Sequence, residues 1–131
     1  LEATGGTLDA VFHNGAYAST ACEPGFHMAS MWEILDRSNL RYNTDLGITQ
    51  LDSGDGPAAE PSGWVRTGGP GMASDTAGYA SCFAYSSESN FQYGSVVWLA
   101  GVWEDLTGDV GTWQADVSTC NTANRVWCVQ D

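Results

Sequence analysis

Residues 113–131 read WQADVSTCNTANRVWCVQD and contain two of the four cysteines of the chain. Residues 125–127 form a largely apolar run into Cys128, a pattern that predicts a closing strand with a cysteine at its end. Seven residues separate Cys120 from Cys128, so we expect Cys120 to lie in the loop before that strand. The closing strand is therefore where we expect distant parts of the chain to be held together.

The other two cysteines, Cys22 and Cys82, lie far upstream of this strand. If Cys22 pairs with Cys128 and Cys82 with Cys120, the bridges are nested and hold the two ends of the chain together. Four cysteines allow three connectivities, however, and their spacing alone does not choose between them. An even cysteine count favours disulfides in an oxidising compartment. We therefore expect a secreted product, mature or trimmed, that is extracellular or on the cell surface.

The charge of the chain limits its partners. Sixteen acidic residues stand against four basic ones, all arginine, which gives a formal net charge of −12. Such a chain repels phosphate backbones and anionic membrane surfaces, so we expect no nucleic-acid partner and no membrane insertion. Each arginine is expected to pair with one of the many carboxylates: Arg37, Arg41, Arg66 and Arg125.

The first part of the chain predicts helices and one strand. A length of 131 residues fits a single domain. We predict a strand at 8–13, a short helix at 16–23 and a second helix at 31–37. The second helix has the clearest signal, because Ser30 and Glu33 form the S-x-x-E pattern of a capping box.

Strands and loops dominate the rest of the chain. We predict a short strand at 63–68 and an apolar central strand at 95–102, separated by a long loop at 69–92 that contains Cys82. The fold class is therefore α+β, with two short helices against a small, mostly antiparallel sheet. A long irregular loop region and two disulfides complete this prediction.

Taken in order, these signals resemble the C-type-lectin-like domain. The residues that carry the resemblance are Cys22, ASMWEIL at 29–35, WVRTG at 64–68, Cys82, Cys120 and Cys128. The resemblance covers most of the chain and implies one C-type-lectin-like domain at 1–131. It also implies two nested disulfides, Cys22 with Cys128 and Cys82 with Cys120.

The chain differs from the sugar-binding members of that family. Those members carry E-P-N or Q-P-D after their W-I-G-L strand and W-N-D before the third cysteine. Here EPS at 60–62 precedes Trp64, and residues 113–116 read WQAD. The FAYSS that follows Cys82, with the later Gly94, is closer to the endostatin-type and bacterial lectin-like branches. In those branches the fold persists without the calcium and sugar site.

Calcium is the cofactor candidate of this sequence, because hard cations bind carboxylate and carbonyl oxygens. Asp52 and Asp55 alternate with glycine as in a calcium loop, although the twelfth-position Glu of an EF-hand is missing. The further carboxylates available to a cation are Glu60, Glu104, Asp105, Asp109 and Asp116. Solvated loop acids and Asx-turns explain the same residues without a metal.

Aromatic residues in and after the long loop are the candidates for ligand contact, because exposed aromatic faces bury much area at small entropic cost. These candidates are Tyr79, Tyr85, Phe91, Tyr93 and Trp103. Core packing is the alternative, and we expect it for Trp64, Trp98 and Trp127.

Catalysis is not expected from this sequence. A nucleophile needs a base within hydrogen-bond reach, and the bases on offer are His13 in a predicted strand and His27 beside a helix start. With all four cysteines oxidised, no thiolate remains. A zinc site is disfavoured because the chain has no CxxC pair and its two histidines are not at ligand spacing.

The resemblance implies a non-enzymatic recognition domain that binds a carbohydrate or an extracellular protein through its long loop region. The alternative is a structural subunit of an extracellular filament, sheath or surface layer. In that case the same loops and the chain ends would make contacts between copies of the chain.

Overall fold

The structure is a computed structural model that describes residues 4–52, 54, 56–69, 74–101 and 113–131, with the side chain of Arg37 left out. The helices are α1, Met31–Leu35, and α2, Cys82–Tyr85. The strands are β1 Thr4–Leu8, β2 Phe26–Met28, β3 Leu40–Tyr42, β4 Gly63–Trp64, β5 Tyr93–Leu99, β6 Trp113–Thr119 and β7 Arg125–Gln130. None of the helices in these ranges is long and apolar enough to cross a membrane.

The strands form one mixed, seven-stranded sheet in the order β3-β1-β7-β4-β5-β6, with β2 also paired to β7. The β1–β3 and β4–β7 pairs are parallel, and the other four pairs are antiparallel. The closing strand β7 contacts β1, β2 and β4, which come from three distant parts of the chain. The predicted closing strand is therefore confirmed, and it pairs with three of the other strands.

Both faces of β7 are buried: side chains along a strand point to alternate faces, and the four consecutive residues 126–129 are all buried. In β7, Val126 and Cys128 pack into one core cluster with Trp64, while Trp127 and Val129 pack into the other. This two-sided burial explains why β7 reads as a nearly continuous apolar run. The expected core positions of Trp64 and Trp127 are confirmed, whereas Trp98 is half-buried.

Two disulfides join Cys22 to Cys128 and Cys82 to Cys120, with Cα–Cα distances of 5.8 and 5.7 Å. Their sequence separations are 106 and 38 residues, and the first bridge encloses the second. This is the nested pairing that the resemblance implies. Disulfides persist in oxidising compartments, so the two bridges are consistent with an extracellular protein.

The predicted second helix is confirmed as α1, although it ends at Leu35 rather than at residue 37. The predicted helix at 16–23 is wrong, since this segment contains a single 3₁₀ turn at Ala18–Thr20. The segment is anchored to the closing part of the chain at both ends. The Gly15 N–H donates to the Cys120 carbonyl at 2.8 Å, and Cys22 is bonded to Cys128. These tertiary anchors override the local helix propensity of an alanine-rich segment.

The strand predictions differ from the structure mainly at their ends. The strand placed at 8–13 instead runs from Thr4 to Leu8, because the Asp9 side chain accepts a hydrogen bond from the Val11 N–H at 2.8 Å and turns the chain. The strand placed at 63–68 is limited to Gly63–Trp64. Strand β5 starts two residues earlier than predicted, and residue 102 lies outside the described residues.

Strand β6 does not appear in the sequence prediction, because its residues include Gln, Asp, Ser and Thr with no strong apolar alternation. It forms through seven consecutive antiparallel pairs with β5. Cys120 directly follows β6 in the turn before β7, so its predicted place in a loop is confirmed.

Helix α2 is a left-handed turn, with φ between 49° and 57° at all four residues from Cys82 to Tyr85. This conformation costs L-residues about 1–2 kcal/mol each and needs support from tertiary contacts. Gly15 and Gly94 lie against the disulfide at this turn. A Cβ at either position would lie 2.5 or 2.6 Å from the Cys82 Sγ. Glycine is therefore needed at both positions for the backbone to approach the bridge.

Candidate functional site

The start of α1 is fixed in place by two sets of hydrogen bonds. The Ser30 hydroxyl accepts from the Glu33 N–H at 3.2 Å, and the Glu33 carboxylate accepts from the Ser30 N–H at 2.7 Å. In addition, the Met31 N–H donates to the Arg66 carbonyl, and the Arg66 N–H donates to the Ala29 carbonyl, both at 2.8 Å. The helix start is therefore attached to the chain that follows β4.

This attachment places Trp32 on the protein surface. Ile34 is 4% exposed, and Met31 packs beside it against the core. Position 32 therefore faces away from the core. Trp32 is accordingly 77% exposed. Its side chain lines two clefts, and we call Trp32 together with these clefts the Trp32 surface.

One of the two clefts, the Arg66 cleft, has a volume of about 240 Å³. It is lined by Ser30, Trp32, Arg66, Thr67, Gly68, Gly69, Ser81, Ala84 and Tyr85. The other, the Asp36 cleft, has a volume of about 300 Å³. It is lined by Thr4, Trp32, Glu33, Asp36, Asn39, Leu40, Val129 and Gln130. A ligand that lies over the indole can therefore reach hydrogen-bond donors on one side and carboxylate and amide groups on the other.

The expected pairing of each arginine with a carboxylate is wrong for the described side chains. Arg66 and Arg41 are exposed and make no side-chain hydrogen bond or ion pair with residues that the structure describes. Arg125 instead stacks on Phe12, with its guanidinium carbon 4.3 Å from the ring centroid. Exposed ion pairs contribute little to stability, so nothing forces these side chains to pair. The five donors of Arg66 remain available to a ligand in its cleft.

Of the predicted aromatic contacts, Tyr79 lies beside the Arg66 cleft and Tyr85 lies beneath it. Tyr79 is 48% exposed, and its carbonyl accepts a hydrogen bond from the Thr67 hydroxyl at 3.4 Å. Tyr85 is only 4% exposed, so its ring face is not available for stacking on a ligand and that prediction is corrected. Its hydroxyl donates to the Val65 carbonyl at 2.5 Å, and burial raises the pKa of Tyr85 far above its usual range.

The remaining predicted contacts do not converge on the Trp32 surface. Phe91 is 82% exposed and Tyr93 is half-buried where β5 begins, and neither lines the two clefts. Trp103 lies outside the described residues.

The described residues do not assemble the predicted calcium site. Asp52, Glu60 and Asp116 are exposed, and within the described ranges no group of three His, Cys, Asp or Glu residues is arranged to hold a metal ion. The Asp116 carboxylate instead accepts from the Val117 N–H at 2.7 Å. The other predicted ligands, Asp55, Glu104, Asp105 and Asp109, lie outside the described residues, so calcium binding there stays a prediction.

A histidine between two carboxylates lies next to the Asp36 cleft. His27 Nε2 is 2.7 Å from Glu33 Oε1, and His27 Nδ1 is 2.8 Å from Asp131 Oδ1. The hydrogen bond to Glu33 raises the pKa of His27, with partial burial opposing this and Asp131 adding to it. Burial acts to raise the pKa of Glu33, but hydrogen bonds from Ser30 and His27 outweigh it and leave that pKa below its usual value.

We expect this cluster to stabilise the fold most in mildly acidic solution. Stability from the raised pKa of His27 is fully present below the usual value of 6.5 and is lost as the pH rises through the raised value. Stability from the lowered pKa of Glu33 is present above the usual 4.5 and is lost as the pH falls further. Both contributions are therefore present between these two values.

Urea unfolding of the wild type and His27→Gln across pH 4–9 measures this effect. Because the groups are partly exposed, we expect the difference in unfolding free energy to be about 0.5–1 kcal/mol near pH 5.5 and to shrink above pH 8. The Asp131→Asn variant should lose part of the same difference. A difference that does not change with pH would contradict the role assigned to His27.

Comparison of the chain with protein-family models, with curated proteins and with solved structures gave no match. The resemblance to C-type-lectin-like domains therefore rests on the sequence motifs.

The sequence prediction of ligand contacts does not include Trp32 or Arg66. For Trp32 a usable signal exists, because the capping box places the helix start at residue 31. With apolar residues at 31 and 34 facing inward, position 32 must face outward. For Arg66 no sequence signal exists, because its lack of a carboxylate partner in the described part of the chain depends on how distant segments pack.

Proposed function

We propose that this chain is a non-enzymatic, extracellular recognition domain that binds carbohydrate across the Trp32 surface. The observation that carries the proposal is the 77% exposure of Trp32 on a helix start held by a capping box and by the chain at Arg66. An aromatic side chain on a fixed element offers a large contact area with little loss of conformational freedom on binding.

The chemistry around the indole favours a saccharide. A pyranose ring presents an apolar C–H face that packs on an aromatic ring, while its hydroxyl groups at the rim need hydrogen-bond partners. Arg66 and Thr67 supply donors in one cleft, and Asp36 and Asn39 supply acceptors in the other. A standard protein interface would instead cover about 800 Å² on each partner around an apolar centre, whereas each of the two clefts beside Trp32 contains polar side chains that can bond to sugar hydroxyl groups.

The position of Trp32 between two clefts favours a chain of sugars over a single one. With one ring stacked on the indole, the neighbouring units would enter the Arg66 cleft and the Asp36 cleft. These volumes, about 240 and 300 Å³, lie near the lower end of the range for small-ligand sites. An oligosaccharide of at least three units would use both clefts. This mode of binding does not need calcium, so it should persist in the presence of a chelator.

Removal of the indole is the direct test. We expect Trp32→Ala to weaken binding of the best oligosaccharide on a glycan array about thirtyfold, equivalent to about 2 kcal/mol, because an exposed anchor of this type carries much of the contact energy. Isothermal titration with and without a chelator gives the affinity. The matched control is Phe91→Ala, which removes another strongly exposed aromatic ring, 82% exposed, from outside both clefts.

Three outcomes separate this proposal from its rivals. Binding that Trp32→Ala abolishes and Phe91→Ala leaves unchanged supports it. Binding that depends on Phe91 and not on Trp32 contradicts it and supports the loop aromatics predicted from the sequence as the site. No glycan binding, together with binding of an extracellular protein, would replace the carbohydrate with a protein partner.

A structural role is the second candidate, and strand β6 favours it. This seven-residue strand is at one end of the described strand order, with β5 as its one partner in that order. An edge strand presents unpaired backbone groups that another copy can extend. Size-exclusion chromatography with light scattering tests this role. A monomer at every concentration, including millimolar protein, removes it, whereas polymers that bind no glycan support it.

A further inference from the structure

A third cleft lies next to Ile34 of α1, against the core cluster that contains Trp127 and Val129. Its volume is about 230 Å³, and its walls are predominantly apolar. The walls come mainly from Ile34, Leu40, Tyr42, Leu99, Trp113 and Trp127. An engineered apolar cavity of about 150 Å³ binds benzene. The larger cleft here therefore has room for one aromatic ring with a short substituent.

One polar group in the wall is unpaired within the part of the chain that the structure describes. Trp113 Nε1 is buried and makes no hydrogen bond with the described residues. The other two buried indoles differ, since Trp127 Nε1 donates to the Val97 carbonyl at 2.9 Å and Trp64 Nε1 donates to the His13 carbonyl at 2.8 Å. Buried N–H groups are nearly always paired, so an unpaired one next to a cleft is a reason to expect an acceptor from a ligand.

A positive charge lies at the same cleft. Arg41 lines it together with the two tryptophans, and its guanidinium makes no hydrogen bond or ion pair within the described ranges. Asp45 shares an adjoining polar cleft with Arg41 without forming an ion pair to it. A planar guanidinium binds a carboxylate through two parallel hydrogen bonds. The net charge of −12 does not prevent this, because salt screens charges beyond about 8 Å at physiological ionic strength.

From these three observations we propose that the cleft beside Arg41 and Trp113 binds a small aromatic carboxylate. The ring packs among the apolar walls and beside the indoles of Trp113 and Trp127, which meet edge to face at 5.1 Å. The carboxylate accepts hydrogen bonds from Arg41, and a ligand oxygen accepts from the Trp113 N–H. This site contains neither Trp32 nor Arg66 and shares only Leu40 and Val129 with the Asp36 cleft, so different substitutions test the two proposals.

The test uses 3-phenylpropionate as the probe and its neutral amide, 3-phenylpropionamide, as the matched compound. Tryptophan indole N–H signals, followed by ¹H–¹⁵N NMR on the full chain, report binding at the site itself. We expect the acid to shift the Trp113 signal saturably and to bind about tenfold tighter than the amide. The Arg41→Gln variant should bind the acid about tenfold more weakly and leave amide binding unchanged. The control Arg66→Gln removes the same charge from the Arg66 cleft, and this variant should bind the acid as tightly as the wild type does.

Several results would overturn the proposal. The first is the absence of a saturable shift of the Trp113 signal up to about 10 mM acid. The second is equal affinity for the acid and the amide, and the third is an equal loss of affinity for the acid in Arg41→Gln and Arg66→Gln. The comparison of acid with amide on the wild-type chain needs no variant, so it decides the carboxylate preference even if a substitution disturbs folding.

Discussion

Replacing Cys22 and Cys128 together by alanine is expected to lower the free energy of unfolding by about 5 kcal/mol. The reason is the length of chain that this bridge closes in the unfolded state, with a sequence separation of 106 residues. In the chain-entropy model the stabilisation grows with the logarithm of that length. A domain of this size has a total free energy of unfolding of about 5–15 kcal/mol. If the value for this protein is near the lower end, about 5 kcal/mol, removing the bridge removes nearly all of its stability. Denaturant unfolding at equilibrium measures it.

The second bridge is the matched control for the first. Cys82 and Cys120 are separated by 38 residues, so the same model gives about 4 kcal/mol for the corresponding double alanine variant. Both variants remove two buried or half-buried sulfurs, which makes the comparison depend mainly on loop length. If the Cys82 and Cys120 variant is clearly the less stable of the two, loop closure is not the main contribution. Support of the left-handed turn at α2 would then account for the larger loss.

Trp64→Ala is expected to cost about 3–5 kcal/mol of stability, the usual range for removing a large aromatic side chain from a core. Trp64 is fully buried, its ring meets Tyr85 edge to face at 6.0 Å, and its N–H donates to the His13 carbonyl at 2.8 Å. Removing the indole therefore leaves a cavity between the sheet and α2. Urea unfolding followed by circular dichroism gives the value.

Two further variants separate packing from hydrogen bonding. Trp64→Phe keeps most of the ring and removes the N–H. The His13 carbonyl still accepts from the Asn124 N–H at 2.9 Å, so we expect a smaller loss of about 1–2 kcal/mol. Trp32→Ala should change stability by less than about 0.5 kcal/mol, because that side chain is exposed. Equal losses for the two alanine variants would contradict the assignment of one tryptophan to the core and the other to the surface.

The two tryptophans have different roles: Trp64 stabilises the fold, and Trp32 is the centre of the proposed binding surface. Trp64 binds β4 to the rest of the core, whereas Trp32 contributes no comparable packing and is held outward by the backbone around it. A side chain that is large, exposed and rigidly placed has no evident structural use. For this reason the proposed function rests on Trp32 rather than on the loop aromatics.

Several elements could be predicted because their signals are local. The capping box at Ser30 and Glu33 acts across three residues, and the structure contains both of its hydrogen bonds. The apolar runs that became β5 and β7 are recognisable because both faces of these two strands are buried. By contrast, β1 contains Gly5 and Gly6, which carry no strand propensity, and it forms because β3 and β7 pair with it on either side.

The capped helix, the two most apolar strands and the even set of cysteines could all be read from the amino-acid sequence, because each depends on neighbouring residues or on composition. Three other features depend on tertiary contacts: the burial of Tyr85 under the Arg66 cleft, the lack of carboxylate partners for Arg66 and Arg41 among the described residues, and the left-handed turn at Cys82–Tyr85. These features depend on segments far apart in the chain. Tyr85, for example, is held by the Val65 and Ser95 carbonyls and by the bridge of Cys82 to Cys120. Local propensity contains no information about such contacts, because they exist only after the sheet has brought the segments together.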